Sequence, residues 1–70
     1  MSEDFPKRLR QLRERERLDQ KRLGELCGMS KSTIARYERG LRVPRLDDAE
    51  VLADFFGVTL DSLCGRKKFF

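Results

Sequence analysis

Sixteen of the 70 residues are lysine or arginine, and eleven of those sixteen are arginine. The guanidinium fork matches phosphate oxygens and the O6/N7 edge of guanine better than a lysine point charge does. The side chains with the most chemistry to offer are therefore suited to polyanions, and their distribution is uneven. Residues 1–45 hold 13 basic and 7 acidic side chains, a net charge of +6. Residues 46–65 hold Asp47, Asp48, Glu50, Asp54 and Asp61 and no base, a net charge of −5, before Arg66, Lys67 and Lys68. A basic first half against an acidic second half implies a polyanion partner on one face only. The alternative is a solvated helix surface rich in Arg and Glu, and charge alone leaves both open.

Other chemistries find little support. There is no histidine, and Cys27 and Cys64 form neither a CxxC pair nor a zinc spacing, so no metal is expected. Cys27 falls on an apolar helical position and reads as a small buried hydrophobe. The chain shows no paired catalytic carboxylates, no phosphate loop and no nucleophile beside a base. No enzyme activity and no cofactor are expected. A domain of about 60 residues buries only about 60% of the surface its unfolded chain exposes, which leaves no room for a lid or a large cleft. With 40% charged and 39% apolar residues, the composition suits one folded helical domain. No apolar run approaches the roughly 20 residues that span a bilayer. Met1-Ser2-Glu3-Asp4 lacks a signal-peptide core, so a cytoplasmic setting and no membrane partner are expected.

Five helical segments must carry these side chains. Pro6 fits a first turn, with Asp4 or Phe5 at the cap. Phe5, Leu9 and Leu12 then recur at helical spacing, with Leu18 closing the far side, which predicts helix 1 at about 6–16. Asp19 reads as the N-cap of helix 2, which runs to about Cys27 and stops at Gly28. Ser30 caps helix 3, which runs to about Arg39 and stops at Gly40. Leu41-Arg42-Val43-Pro44 is a loop. Helix 4 starts near Leu46 or Asp47 with an inner stripe of Leu46, Ala49, Leu52, Ala53 and Phe56, and Gly57 ends it. Thr59 caps a short helix 5 at about 60–64, with Leu60 and Leu63 inward. The fold class predicted is all-α, a compact five-helix domain over residues 5–64, followed by a flexible basic and aromatic tail over 65–70.

Residues 20–39 form the most specific feature. Two short helices joined only by Gly28-Met29 and a cap must cross steeply. Gly24 is the small residue such a crossing needs, and Gly28 supplies a left-handed turn. Leu23, Cys27, Met29, Ile34 and Tyr37 point inward.

The stretch from Gln20 to Gly40, with Ile34-Ala35-Arg36-Tyr37-Glu38-Arg39-Gly40 and then Pro44, resembles the helix-turn-helix of the phage repressor/Cro-type family, also called the xenobiotic-response-element type. The resemblance continues through Phe56-Gly57-Val58 and Leu60-Asp61-Ser62-Leu63 and covers about residues 5–64. It implies a lambda repressor-like domain whose third helix enters the DNA major groove. Lys31, Ser32 and Arg36 match the family's base-reading positions. Arg36 can hold guanine O6 and N7 with both arms, and Lys31 also reaches guanine. Gln20 matches the family's phosphate-clamping glutamine at a helix start. Thr33, Arg39, Arg42 and Arg45 match regions that touch the DNA backbone, with Arg42 in reach of a minor groove. Arg13 and Glu38 match an ion pair between helices 1 and 3.

Three departures stand out. Arg17 replaces a common glycine, so the end of helix 1 is expected to be shaped differently. Gly24 replaces the usual alanine, which loosens helix 2. Asp19 brings a negative charge near a phosphate path. The resemblance also implies a homodimer, weak without DNA, through the helix 5 region, with Val58, Leu60 and Leu63 at the interface and Phe69 and Phe70 as further candidates; Leu60 and Leu63 could equally be core. The function implied is a sequence-specific, double-stranded DNA-binding transcription regulator, a repressor on a palindromic operator. The alternative is an antitoxin-type interaction module that neutralises a partner and represses its own operon.

Overall fold

Asp19, Ser30 and Thr59 each place a side-chain oxygen on the backbone N–H three residues ahead. Asp19 Oδ1 accepts from Arg22 N at 2.7 Å, Ser30 Oγ from Thr33 N at 3.0 Å, and Thr59 Oγ1 from Ser62 N at 3.0 Å. Each bond satisfies a donor that has no partner inside the helix, a contribution of about 1 kcal/mol. The computed structural model describes residues 4–65, and those caps start three of its five helices. The helices are α1 Asp4–Arg15, α2 Gln20–Cys27, α3 Lys31–Glu38, α4 Leu46–Phe56 and α5 Leu60–Cys64, with no strand among the described residues. The tail expected over 65–70, with Phe69 and Phe70, lies outside the described residues apart from Gly65.

One core joins all five helices. Phe5, Leu9 and Leu12 of α1 meet Leu23 of α2, Ile34 and Tyr37 of α3, Leu52 and Phe56 of α4, and Leu63 and Cys64 of α5. Helix α1 packs on α3 and α5, α2 on α3 and α4, and α4 on α5. The Phe5 and Tyr37 rings meet edge to face, with centroids 5.9 Å apart. Arg8 fastens α1 to α5, donating from Nε to the Ser62 carbonyl and from Nη2 to Ser62 Oγ, both at 3.2 Å.

Tyr37 carries a second tether. Its ring is fully buried, and its hydroxyl donates to Asp48 Oδ2 across the α3–α4 loop. Burial first, and the Asp48 hydrogen bond second, raise the Tyr37 phenol above its ordinary value. The neutral phenol is thus favoured in the folded state. Its contribution is complete below about pH 10, the unfolded value, and fades as pH rises through the higher folded value. Tyr37→Phe is expected to cost about 1.5–3 kcal/mol near neutral pH, the worth of a hydrogen bond to a charged group. Its stability should also fall less steeply than that of the parent above pH 10. Parallel slopes in urea melts across that range would contradict the assignment.

Two sequence expectations need correction. Leu46 is 65% exposed, not part of the inner stripe of α4. It is the first residue of that helix, where side chains lean back past the N-terminus and off the core; Pro44 is the buried residue at that corner. Leu63 is fully buried and has no surface to give a partner, since the helices around α5 already cover it. Helix α2 is continuous and capped at both ends, with Gly24 buried within it. At the end of α1, Arg17 itself takes the left-handed conformation, with φ of 58°.

Candidate nucleic-acid interface

Helix α3 has eight residues and is therefore about 12 Å long, close to the width of a major groove. Its inner side is fixed by buried Ile34 and Tyr37. Helical geometry then leaves Lys31, Ser32 and Arg36 on the outer side, and all three are exposed. Lys31 stands at the first helical position, where the dipole disfavours a cation. Thr33 is half-buried, its hydroxyl 2.9 Å from Ser30 Oγ and its N–H on that same oxygen. That threonine is thus part of the capping structure of α3.

Glu38 is the one acid of α3, and it is withdrawn from the surface. It is 6% exposed and accepts three hydrogen bonds. Arg13 Nε donates to Oε2 at 2.6 Å, Arg13 Nη2 to Oε1 at 3.0 Å, and Gln20 Nε2 to Oε1 at 3.1 Å. Arg13 also donates from Nη1 to the Leu18 carbonyl at 2.8 Å. The Glu38 hydrogen bond is the main cause that raises the Arg13 guanidinium above its ordinary value. The Arg13–Glu38 pair therefore ties the end of α1, the α1–α2 turn and the end of α3 together, and Gln20 joins the start of α2 to it through Glu38. No buried side-chain nitrogen or oxygen lacks a partner among the described residues.

The structure gives Gln20 a second task. Sequence reasoning placed its amide on a phosphate, but one of its two amide hydrogens is engaged by Glu38, which leaves one for another acceptor. Arg39, at the end of α3, and Arg42 and Arg45, in the loop that follows, are exposed. Arg45 occupies the N-cap position of α4 and makes no side-chain capping bond, although Ser, Thr, Asp or Asn would stabilise that end. The contacts of Arg13 to Leu18 and of Tyr37 to Asp48 were missed in the sequence. Neither has a periodic or spacing signal, because each depends on how separate helices pack.

Val58 and Leu60 are half-buried, packed against the core at the start of α5. They line an open groove with Glu50, Ala53, Asp54 and Thr59. Val51 and Phe55 of α4 are also exposed. Cys27 is a half-buried free thiol whose burial raises its pKa, which disfavours the reactive thiolate. Among the described residues no cluster of metal-ligating side chains occurs, and no helix is long and apolar enough to cross a membrane.

Comparison with known proteins points to the same region. A family model described as a helix-turn-helix domain matches residues 5–63. The HTH-type transcriptional regulator AnsR of Bacillus subtilis is 43% identical over 61 residues, covering 87% of this chain and 53% of that protein. The cryptic phage CTXphi transcriptional repressor RstR of Vibrio cholerae is 36% identical over 59 residues, covering 84% of this chain and 53% of that protein. The HTH-type transcriptional activator BcrR of Enterococcus faecalis is 33% identical over 60 residues, covering 86% of this chain and 29% of that protein. The chain thus spans about half the length of the first two relatives and less of the third. No solved structure gave a significant match.

Proposed function

Because the chain belongs to the helix-turn-helix family of the phage repressor/Cro type, we propose that it is a sequence-specific, double-stranded DNA-binding transcription regulator. The observation that carries this reading is the state of Glu38. The one anion of α3 is buried and triply hydrogen-bonded. The outer face of that helix offers a duplex only Lys31, Ser32 and Arg36, with no carboxylate to repel phosphate.

In this reading Lys31, Ser32 and Arg36 read base edges, with Arg36 bidentate on a guanine. Thr33 and the second amide hydrogen of Gln20 reach phosphates at the starts of α3 and α2. Arg39, Arg42 and Arg45 hold the backbone on either side, which fixes register without reading sequence. Lys31 at a helix start and Arg45 at an uncapped one are both locally unfavourable choices. Each is explained if the cation serves a partner rather than the fold.

The regulator acts as a homodimer on a palindromic operator. Two copies related by a two-fold axis place their α3 helices one helical turn apart, about 34–36 Å. Half-buried Val58 and Leu60 supply a contact between copies, and DNA that holds both copies strengthens the dimer. The outcome is repression, by occupation of a promoter that overlaps the operator. The relative named a repressor, RstR, is spanned over 53% of its length, against 29% for the named activator.

Titration against selected and scrambled duplexes at two salt concentrations tests the reading. Arg39, Arg42 and Arg45 alone should contribute about −2.7 per bound copy to the slope of log affinity against log salt. The selected duplex should bind far more tightly than the scrambled one. Equal affinity for both sequences would remove sequence-specific regulation as the function.

A further inference from the structure

The α1–α2 turn contains a choice that the fold does not explain. Arg17 has φ of 58° and is the only non-glycine residue in the left-handed region among the described residues. At Gly28, Gly40, Gly57 and Gly65 the chain meets the same demand with glycine. A side chain in that region crowds its own backbone, which is why glycine dominates there. The turn cannot relax, because its backbone is pinned from both sides. Arg17 N donates to the Glu14 carbonyl at 2.9 Å, Leu18 N donates to the Arg13 carbonyl at 3.2 Å, and Arg13 Nη1 holds the Leu18 carbonyl.

Nothing inside the protein compensates for this conformation. The Arg17 side chain is exposed, and no hydrogen bond or ion pair of its guanidinium occurs among the described residues. Neighbouring charges do have partners: Arg15 pairs with Glu16 at 3.5 Å, Arg22 with Glu25 at 3.4 Å, and Asp19 caps α2. The turn that carries Arg17 is tied by Arg13 to the same junction that sets the starts of α2 and the angle of α3. The backbone at Arg17 is therefore fixed relative to the DNA-reading helix, and its exposed side chain is free to reach a partner beside the start of α2.

We propose that Arg17 is a further DNA-positioning residue, which contacts a backbone phosphate beside the start of α2. This rests on the DNA-binding reading above. Arg17 offsets the negative charge that Asp19 brings to the phosphate path, and it adds affinity without sequence preference. The strained backbone is retained because the cation is needed at that spot.

The test uses the full chain and a mixed-sequence duplex of about 30 base pairs, roughly three helical turns, with binding measured over a salt series and thermal melts run in parallel. Arg17→Gly should raise Tm, because the strain is gone. It should also weaken DNA binding several-fold and make the salt slope shallower by about 0.9 per bound copy, one phosphate contact. Arg17→Asn, which tolerates the left-handed conformation, should show the same loss of affinity. Arg17→Lys should keep the parental slope. If the parent binds and both uncharged variants match its affinity and slope, the phosphate contact is refuted while the DNA-binding function stands. If Tm falls in Arg17→Gly, the turn is not strained and nothing marks Arg17 as a retained cation. If the parent itself binds no duplex, the function fails, and this contact with it.

Discussion

Glu38→Ala is expected to destabilise the fold by about 3–5 kcal/mol, the usual cost of removing one partner from a buried ion pair. The variant leaves the Arg13 guanidinium, 13% exposed in the parent, with only the Leu18 carbonyl to accept its protons. It also removes the acceptor of Gln20. A chain of this length has on the order of 4–10 kcal/mol of total stability, so such a loss is a large fraction of the whole. With a shift of about 4–8 °C per kcal/mol, Tm should fall by at least about 12 °C in a thermal melt. Where the variant remains folded, DNA binding should weaken on every sequence alike, because α3 has lost its anchor to α1 and α2. Replacing both partners together, Arg13→Met with Glu38→Leu, should recover much of the lost stability, since a buried pair exchanged for apolar groups is often neutral. An unchanged Tm in Glu38→Ala would show that the three hydrogen bonds do not hold the helices together.

Gly24→Val should have the next largest effect, and it acts on the helix-turn-helix itself. An ideal Cβ at Gly24 would lie 2.3 Å from the Met29 carbonyl oxygen and 3.2 Å from its carbon. That obstacle is backbone, and the Met29 N–H already donates to the Gly24 carbonyl at 2.7 Å, so the turn has little freedom to retreat. Replacing glycine improves helix propensity by less than about 1 kcal/mol. Overpacking costs about 1–3 kcal/mol, with a β-branched side chain against backbone at the upper end. A net loss of about 2 kcal/mol is the expected balance, seen as a lower midpoint in urea with an unchanged m value. DNA affinity should fall too, because any relief of the clash swings α3 away from α2. A higher midpoint would mean that the turn has space the structure does not show.

How much of this was legible in the sequence depends on where each signal is stored. The helix spans follow from local chemistry. Asp19, Ser30 and Thr59 cap, Gly28 and Gly57 stop, and the structure places the helix ends within about two residues of the expected positions. The inner positions of α1 and α3 follow from periodicity alone, since Phe5, Leu9, Leu12, Ile34 and Tyr37 are all buried. Leu46 and Leu63 show the limit of that signal. An apolar residue at helical spacing can be core or surface, and the choice depends on which neighbour covers it. Leu46 projects off a helix end, whereas Leu63 is sealed by the rest of the domain.

The candidate site divides in the same way. The exposure of Lys31, Ser32 and Arg36 could be derived from the buried face of α3. The pairing of Arg13 with Glu38 spans 25 positions and entered through the family resemblance, because no local pattern encodes it. The bridge from Gln20 and the tether to the Leu18 carbonyl required the packed arrangement of three helices. Arg17 was visible as an unusual residue, but its left-handed backbone was not.

In the proposed complex α3 reads base edges with Arg36. Selection of bound duplexes from a random library, run in parallel with the parent and with Arg36→Ala, tests it most directly. The parent should recover two inverted half-sites. Arg36→Ala should lose preference at one base pair in each half-site, at a cost of about 1–3 kcal/mol on the parental site. Recovery of no common motif by the parent, or an equal loss by Arg36→Ala on every sequence, would contradict it.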